Sequence, residues 1–197
     1  MTISSLQPDL AHRYRLIGAI LAELRPASPD GRLRLLDLGA GAESLVDAVL
    51  PPWCELHRAD VDTFGRDDIT QLAPGAALPF ADSTFDVVLT LEVLEHVPLA
   101  DRPLFLDECL RVCSRAVILS TPLGTSTTRH LEDIFRRLAQ QISDQSIPFL
   151  EEHAAYGLPD PELTASALAR RGAQVVTLDN APAAEWLLAN LVDFLYA

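Results

Sequence analysis

Two glycines, Gly39 and Gly41, follow a short apolar segment that ends in Asp37 and Leu38. One residue separates them, and they lie where a predicted strand is followed by a predicted helix. Glycine at such a turn adopts backbone angles closed to other residues and lets a ligand approach the main chain closely. The segment therefore predicts either a loop that binds a nucleotide-type cofactor or a structural tight turn, because glycine-bearing turns after strands are common.

Polar side chains also follow the other predicted strands. Asp60 and Asp62 come after the second strand, the segment 91–96 carries two glutamates and a histidine after the third, and 121–124 follows the fourth. In an open parallel sheet the ligand lies in the crevice beyond the carboxyl ends of the strands. We therefore expect these segments to lie together at one edge of the sheet.

The elements that must position these segments alternate between strands and helices. This alternation predicts an α/β fold: a Rossmann-like doubly wound, mostly parallel sheet with helices on both faces and a helical insertion after the fourth clear strand. Apolar periodicity and breaking residues predict strands over 33–38, 54–60, 85–90, 115–120 and 173–178, and helices over 10–25, 43–50, 102–112, 131–142, 148–156, 162–171 and 183–196.

Composition limits the class of function. The 197 residues carry a net charge of −13 at pI 4.6, which argues against nucleic acid or an anionic membrane as the main partner. All 15 basic residues are arginine, so Schiff-base and lysine-dependent phosphate chemistry are excluded. Three cysteines without a paired C-x-x-C spacing indicate a reducing compartment. We expect Cys109 and Cys113 to be packed in the core. We expect a cytoplasmic protein, since no apolar run is long enough for a membrane span and the sequence starts without a secretion-signal pattern.

Four motifs in order closely resemble the class I S-adenosylmethionine-dependent methyltransferases, in their small-molecule subgroup. They are Asp37-Leu-Gly39-Ala-Gly41, the acid at Asp60, the run from Leu78-Pro-Phe to Phe85-Asp-Val-Val, and Leu94-Glu-His-Val-Pro. The resemblance covers about 33–122, the part of the chain that would build the cofactor site. It implies S-adenosylmethionine as the cofactor.

The resemblance also implies roles for the glycine turn. The main chain of Gly39, Ala40 and Gly41 would face the methionine part of the cofactor, with Asp37 near its amino end. No third glycine follows, because Glu43 stands in its place.

Further roles follow along the other strand ends. Asp60 would accept hydrogen bonds from the ribose hydroxyls, which suits an ionised carboxylate, and Asp62 is the alternative. The segment with Ala77 and Leu78 would lie against the adenine. The methyl group would meet its acceptor near Leu91.

Two side chains are candidates for proton transfer at the acceptor. His96 is the first and Glu92 the second, although His96 has the alternative role of orienting its turn. Glu92 and Glu95 lie three residues apart, yet no histidine stands at metal-binding spacing to either, and glutamates are expected at a helix start. The sequence therefore predicts no metal site.

The chain is expected to form one methyltransferase-like domain over 1–197. Its parts are an N-terminal helix and linker (1–32), the cofactor-binding core (33–122), a helical insertion or lid (125–161), and a C-terminal helix, strand and helix (162–197). The last helix would offer a docking face to a partner chain or missing segment. The insertion presents polar and aromatic candidates for acceptor contact, or simply a solvated surface: Arg129, His130, Glu151, Glu152, His153 and Tyr156.

The most specific function that these features predict is methyl transfer to a small-molecule or glycan-type acceptor, at oxygen. A degenerate fold that serves as a binding or scaffolding module is the first alternative, supported by Glu43 and by Pro74, which replaces an acid common in the family. A nicotinamide-dependent oxidoreductase is the second, and the motifs around Leu78, Phe85 and Leu94 argue against it.

Overall fold

A five-stranded parallel sheet forms the centre of the protein. The computed structural model describes residues 8–24, 26, 31–143, 147–178 and 187. The strand order is β3-β2-β1-β4-β5, and every pairing is parallel. The strands are β1 (Leu33–Leu38), β2 (Cys54–Asp60), β3 (Ile69–Gln71), β4 (Phe85–Leu91) and β5 (Cys113–Ser120).

Five α-helices accompany the sheet in the described residues. They are α1 (Pro8–Glu23), α2 (Arg102–Val112), α3 (Ser126–Ser143), α4 (Pro148–Tyr156) and α5 (Pro161–Arg170). Two short 3₁₀ helices, Val46–Val49 and Leu94–His96, lie after β1 and β4. None of the described helices is long and apolar enough to cross a membrane.

The core lies on both faces of the sheet. One buried cluster joins residues of α1, such as Tyr14, Ile17 and Leu21, to β1 and β4. The other joins Cys109 and Val112 of α2 to the opposite side chains of the same strands. Because β1 and β4 are covered on both faces, their sequences are mostly apolar, as those of buried parallel strands are. The predicted α/β fold with helices on both faces is confirmed.

Local signals define the helix ends. The Asp160 carboxylate accepts a hydrogen bond from the main-chain nitrogen of Leu163 at 2.8 Å, and Pro161 occupies the first turn of α5. Helix α4 likewise begins at Pro148, and the residue that follows its end is Gly157, whose φ of +72° favours glycine.

The structure corrects two predicted elements and adds one. The helix expected over 43–50 is only the 3₁₀ turn Val46–Val49, because the preceding segment is held by Arg66, which donates to the Ala42 carbonyl at 3.0 Å, and by Ser44, which donates to Asp37. The strand expected over 173–178 is irregular, with Val176 79% exposed and unpaired with any described strand. The sequence analysis missed β3, which has only three residues. The helix expected over 183–196 lies outside the described residues, except for Leu187.

Candidate functional site

The glycine turn at the end of β1 is packed against the segment that follows β4. Gly39 and Gly41 have φ values of +80° and +66°, which favour glycine. A Cβ at Gly39 would lie 2.3 Å from Cγ2 of Val93, so this position has no room for a side chain. A Cβ at Gly41 would meet no atom of the described part of the chain within 4 Å. The main chain at Gly41 therefore borders open space, as a cofactor that contacts it requires.

Asp60 connects β2 to this turn. Its Oδ2 accepts a hydrogen bond from the nitrogen of Gly41 at 2.8 Å, and its Oδ1 accepts from the nitrogen of Asp62 at 3.1 Å. A carboxylate has about four lone-pair sites, so both oxygens can still accept bonds from hydroxyl groups. Asp62 accepts instead from the nitrogen of Phe64, within its own turn. This arrangement favours Asp60 over Asp62 for the ribose, an assignment that stays a prediction.

Asp37 is buried at the end of β1. Its Oδ2 accepts a hydrogen bond from Oγ of Ser44 at 2.7 Å. Burial raises the pKa of Asp37, and the bond from Ser44 opposes that rise. Asp37 therefore holds the segment after the glycine turn in place, whether or not it also approaches the cofactor as predicted.

The segment predicted to contact adenine is held from α2. Ala77 is exposed, whereas the nitrogen of Leu78 donates to Oε2 of Glu108 at 2.7 Å. Arg111 bonds the same glutamate and donates to the carbonyl oxygens of Leu78 and Phe80 at 3.1 Å and 2.8 Å. The sequence analysis missed this pair, although a glutamate and an arginine three residues apart on one helix were the available signal.

Two exposed apolar side chains follow Asp60. Val61 is 51% exposed and Phe64 is 47% exposed, and neither was singled out from the sequence. Isolated exposed apolar residues are ordinary, but these two adjoin the carboxylate predicted to bind the ribose. A flat aromatic base is the part of the predicted cofactor that such side chains would contact.

Glu92 begins the segment after β4 and is committed to two partners. It adopts a φ of +55°, which is uncommon for a residue other than glycine. Its Oε1 accepts a hydrogen bond from Oγ of Ser120 at 3.0 Å, and its Oε2 lies 3.2 Å from Nη2 of Arg13. These contacts make Glu92 a weaker candidate base than the sequence suggested, because its carboxylate is already neutralised by a guanidinium.

Glu95, which the sequence analysis did not assign to the site, is the most buried acid in this region. It is 1% exposed, and its Oε2 accepts a hydrogen bond from Oγ1 of Thr121 at 2.9 Å. Burial raises the pKa of Glu95 to about 7, the charge of Glu92 adds to the rise, and Thr121 and His153 oppose it. This carboxyl therefore changes protonation near neutral pH.

Two histidines meet beside Glu95. The rings of His96 and His153 lie 5.1 Å apart between centroids. Nδ1 of His96 lies 2.6 Å from Oε2 of Glu152, and Nδ1 of His153 lies 2.9 Å from Oε1 of Glu132. Because an ionised carboxylate only accepts hydrogen bonds, each Nδ1 is the donor. This leaves Nε2 of each ring for another contact.

The helical insertion is tied to the segment after β4. Arg102 donates to the carbonyl oxygens of Val97 at 3.0 Å and Gly157 at 2.5 Å. The nitrogen of Gly124 donates to the carbonyl oxygen of Pro159 at 2.8 Å. Of the candidates named in the insertion, Glu152 and His153 therefore reach the site. Arg129 instead donates to the carbonyl oxygen of Gly124. The other three candidates, His130, Glu151 and Tyr156, are exposed.

A cleft of about 440 Å³ lies between α3 and α4, with His153 in its wall. Charged side chains of both signs and several apolar side chains line it. The lining residues are Arg129, Glu132, Asp133, Arg136, Leu150, His153, Ala154, Gly157 and Leu158.

Comparison with known proteins agrees with this geometry. Residues 36–120 match the family model of the methyltransferase domain. An uncharacterized methyltransferase of Mycobacterium tuberculosis is 39% identical in an alignment of 110 positions that covers 47% of this chain and 43% of that protein. The chain thus matches less than half the length of this relative.

Solved structures share the fold. A putative methyltransferase of Bacillus halodurans superposes with a TM-score of 0.54 at 15% identity, over 82% of this chain and 71% of that one. A SAM-dependent methyltransferase of Aquifex aeolicus gives a TM-score of 0.53 at 14% identity, over 89% of this chain and 88% of that one.

The fold is the Rossmann-like fold of these methyltransferase structures. Residues 36–120 match the methyltransferase domain, and the fold is one that solved S-adenosylmethionine-dependent methyltransferases share, as the motifs predict.

Proposed function

We propose that this chain transfers a methyl group from S-adenosylmethionine to an oxygen atom of a small-molecule or glycan-type acceptor. One observation carries the proposal. The open glycine turn, Asp60 bound to Gly41, and the cluster of Glu92, Glu95 and His96 all lie at the carboxyl ends of neighbouring parallel strands. A cofactor bound along β1 and β2 would therefore face polar side chains after β4.

The residues of the turn fit the cofactor. Gly39 and Gly41 offer main chain, Asp60 offers a carboxylate with free lone pairs, and exposed Ala77 leaves room for the base. When bound, S-adenosylmethionine supplies a methyl group already activated on a sulfonium. The protein therefore has two tasks, to align the acceptor oxygen and to receive its proton.

His96 is the proposed proton acceptor. Its Nδ1 donates a hydrogen bond to Glu152, which orients the ring and leaves Nε2 to take a proton from the acceptor hydroxyl. Glu92 is paired with Arg13 and Ser120, so His96 is the better placed of the two. A hydroxyl acceptor is proposed because hydroxyls are the acceptors that gain most from a neighbouring base.

Calorimetric titration tests the cofactor site. We expect purified protein to bind S-adenosylmethionine and its demethylated product with micromolar affinity, about −8 kcal/mol. Asp60→Ala should weaken both by 10-fold or more. Glu55→Ala is the matched control, because this exposed carboxylate lies near the start of β2, at the opposite end of the strand from Asp60. The control should bind like the unaltered protein.

The outcomes separate the alternatives. Binding that is weakened by Asp60→Ala justifies a screen of hydroxylated acceptors by methyl mass increase, with His96→Gln expected to lower the rate while leaving cofactor affinity unchanged. No binding at millimolar ligand would contradict the proposal. It would favour a non-catalytic module, the reading supported by Glu43 and Pro74, both of which are exposed.

A further inference from the structure

Three potential metal ligands converge after β4, from two distant parts of the chain. Glu95 and His96 belong to the 3₁₀ helix Leu94–His96, and His153 belongs to α4. One ligand atom from each side chain lies within 4.8 Å of the other two. Two imidazoles and a carboxylate at such separations are a donor set that binds divalent transition-metal ions in proteins.

His153 is the observation that points to a ligand. It is 6% exposed, and Nε2 has no hydrogen-bond partner among the residues that the structure describes. Nδ1 donates a hydrogen bond to Oε1 of Glu132 at 2.9 Å, which fixes the tautomer and leaves a lone pair on Nε2. Histidines that bind metals show this same pattern, with the second nitrogen donating to a carboxylate.

The other two side chains are prepared in the same way. Nδ1 of His96 donates to Glu152 at 2.6 Å, so Nε2 carries the free lone pair. Oε2 of Glu95 accepts a bond from Thr121, which orients the carboxylate and leaves the second oxygen available.

We propose that Glu95, His96 and His153 form a binding site for a divalent transition-metal ion, with Zn²⁺ as the best match to its donors. Three protein ligands leave a coordination position for water or an acceptor oxygen. The sequence analysis predicted no metal site, and this proposal replaces that prediction. His153 lies 57 positions after His96, so no local spacing reveals it.

The site has a role within the proposed methyl transfer, and that role alone rests on the proposed function. The ion would lie after β4, where the methyl group is predicted to meet its acceptor, and would bind the acceptor oxygen and lower the pKa of its hydroxyl. With the ion bound, Nε2 of His96 is a ligand, so the hydroxyl proton would pass to water rather than to that ring. Metal binding itself does not depend on the cofactor, so it is tested without it.

The first experiment measures binding of Zn²⁺ and Co²⁺ to the full chain. Protein stripped with EDTA and dialysed is titrated with ZnCl₂ in the calorimeter, and with CoCl₂ while the visible absorption of Co²⁺ is recorded. We expect one ion per chain, with micromolar or tighter affinity for Zn²⁺. His153→Gln and Glu95→Gln should each weaken binding at least 100-fold, because each removes one of three ligands.

Matched controls keep the result interpretable. His12→Gln and Glu55→Gln alter exposed residues on α1 and β2 and should bind both ions like the unaltered protein. Circular dichroism melting of each metal-free variant verifies that it folds, and Glu132→Gln, which loosens the orientation of His153, should weaken binding by about 10-fold or more.

Two results would overturn the inference: no ion bound at 1:1 stoichiometry, or unchanged titrations for folded His153→Gln and Glu95→Gln. Titration with S-adenosylmethionine of the same metal-free protein is independent of this outcome. Cofactor binding without metal binding rejects the metal site and leaves the methyltransferase proposal standing. Metal binding without cofactor binding supports the metal site and rejects the methyltransferase proposal.

Discussion

Replacing Glu95 with glutamine tests whether this buried carboxyl holds its proton in the folded state. Glu95 is 1% exposed, and burial together with the charge of Glu92 raises its pKa from 4.5 to about 7. The folded protein therefore binds this proton more tightly than the unfolded chain does. The stability that it contributes is fully present below about pH 4.5 and is lost as the pH rises through about 7.

The magnitude follows from the two pKa values. The difference between 4.5 and about 7, at about 1.36 kcal/mol for each pKa unit, corresponds to about 3 kcal/mol. Glutamine keeps an oxygen that can accept the bond from Thr121 but does not ionise. The free energy of unfolding of Glu95→Gln should therefore gain about 3 kcal/mol relative to the unaltered protein between pH 4.5 and pH 8.

Urea unfolding followed by circular dichroism, in EDTA and at several pH values, measures this difference. Glu108→Gln is the control of opposite sign, because hydrogen bonds from Arg111 lower the pKa of Glu108. That variant should lose stability relative to the unaltered protein as the pH rises through the acid range. A difference for Glu95→Gln that stays constant from pH 4.5 to 8 would refute the reasoning.

Three further predictions concern the turn, its support and the thiols. Gly39→Ala should lower the free energy of unfolding by about 2 kcal/mol or more and weaken cofactor binding, since its Cβ would lie 2.3 Å from Val93 at a φ of +80°; adding Val93→Ala should restore part of the stability in the same urea assay. Arg111→Gln should lower the melting temperature by several degrees, because it leaves buried Glu108 without its guanidinium, and a smaller loss in an Arg111→Gln and Glu108→Gln double variant is the check. Cys109 is fully buried and burial raises its pKa, so mass spectrometry should find it alkylated by iodoacetamide only after denaturation.

Much of the sheet was predictable from the sequence because its strands are buried on both faces. Continuous apolar runs such as 85–91, bounded by turn residues, have few alternatives in an alternating α/β chain. The segment 43–50 was predicted wrongly because helical periodicity does not register the hydrogen bonds that Ser44 and Arg66 impose on it. The segment 173–178 was predicted wrongly because an apolar alternation becomes a strand only beside a partner.

The site residues also differ in whether a local sequence signal reveals them. Strand-end residues such as Asp60 are local in sequence, so the family motifs reveal them. Contacts between distant segments have no such local signal. Glu132 positions His153, and His153 contacts His96, only because α3 and α4 fold back over the end of β4. The pairing of Arg13 with Glu92 has the same origin, since α1 precedes β4 by more than sixty residues.

The central claim is that the glycine turn and Asp60 form the S-adenosylmethionine site. Nuclear magnetic resonance of ¹⁵N-labelled protein, titrated with the demethylated cofactor, tests it most directly. We predict that the largest changes in amide chemical shift occur at Gly39, Gly41, Phe64 and Ala77. Shifts confined to other regions, or none at millimolar ligand, would contradict the account.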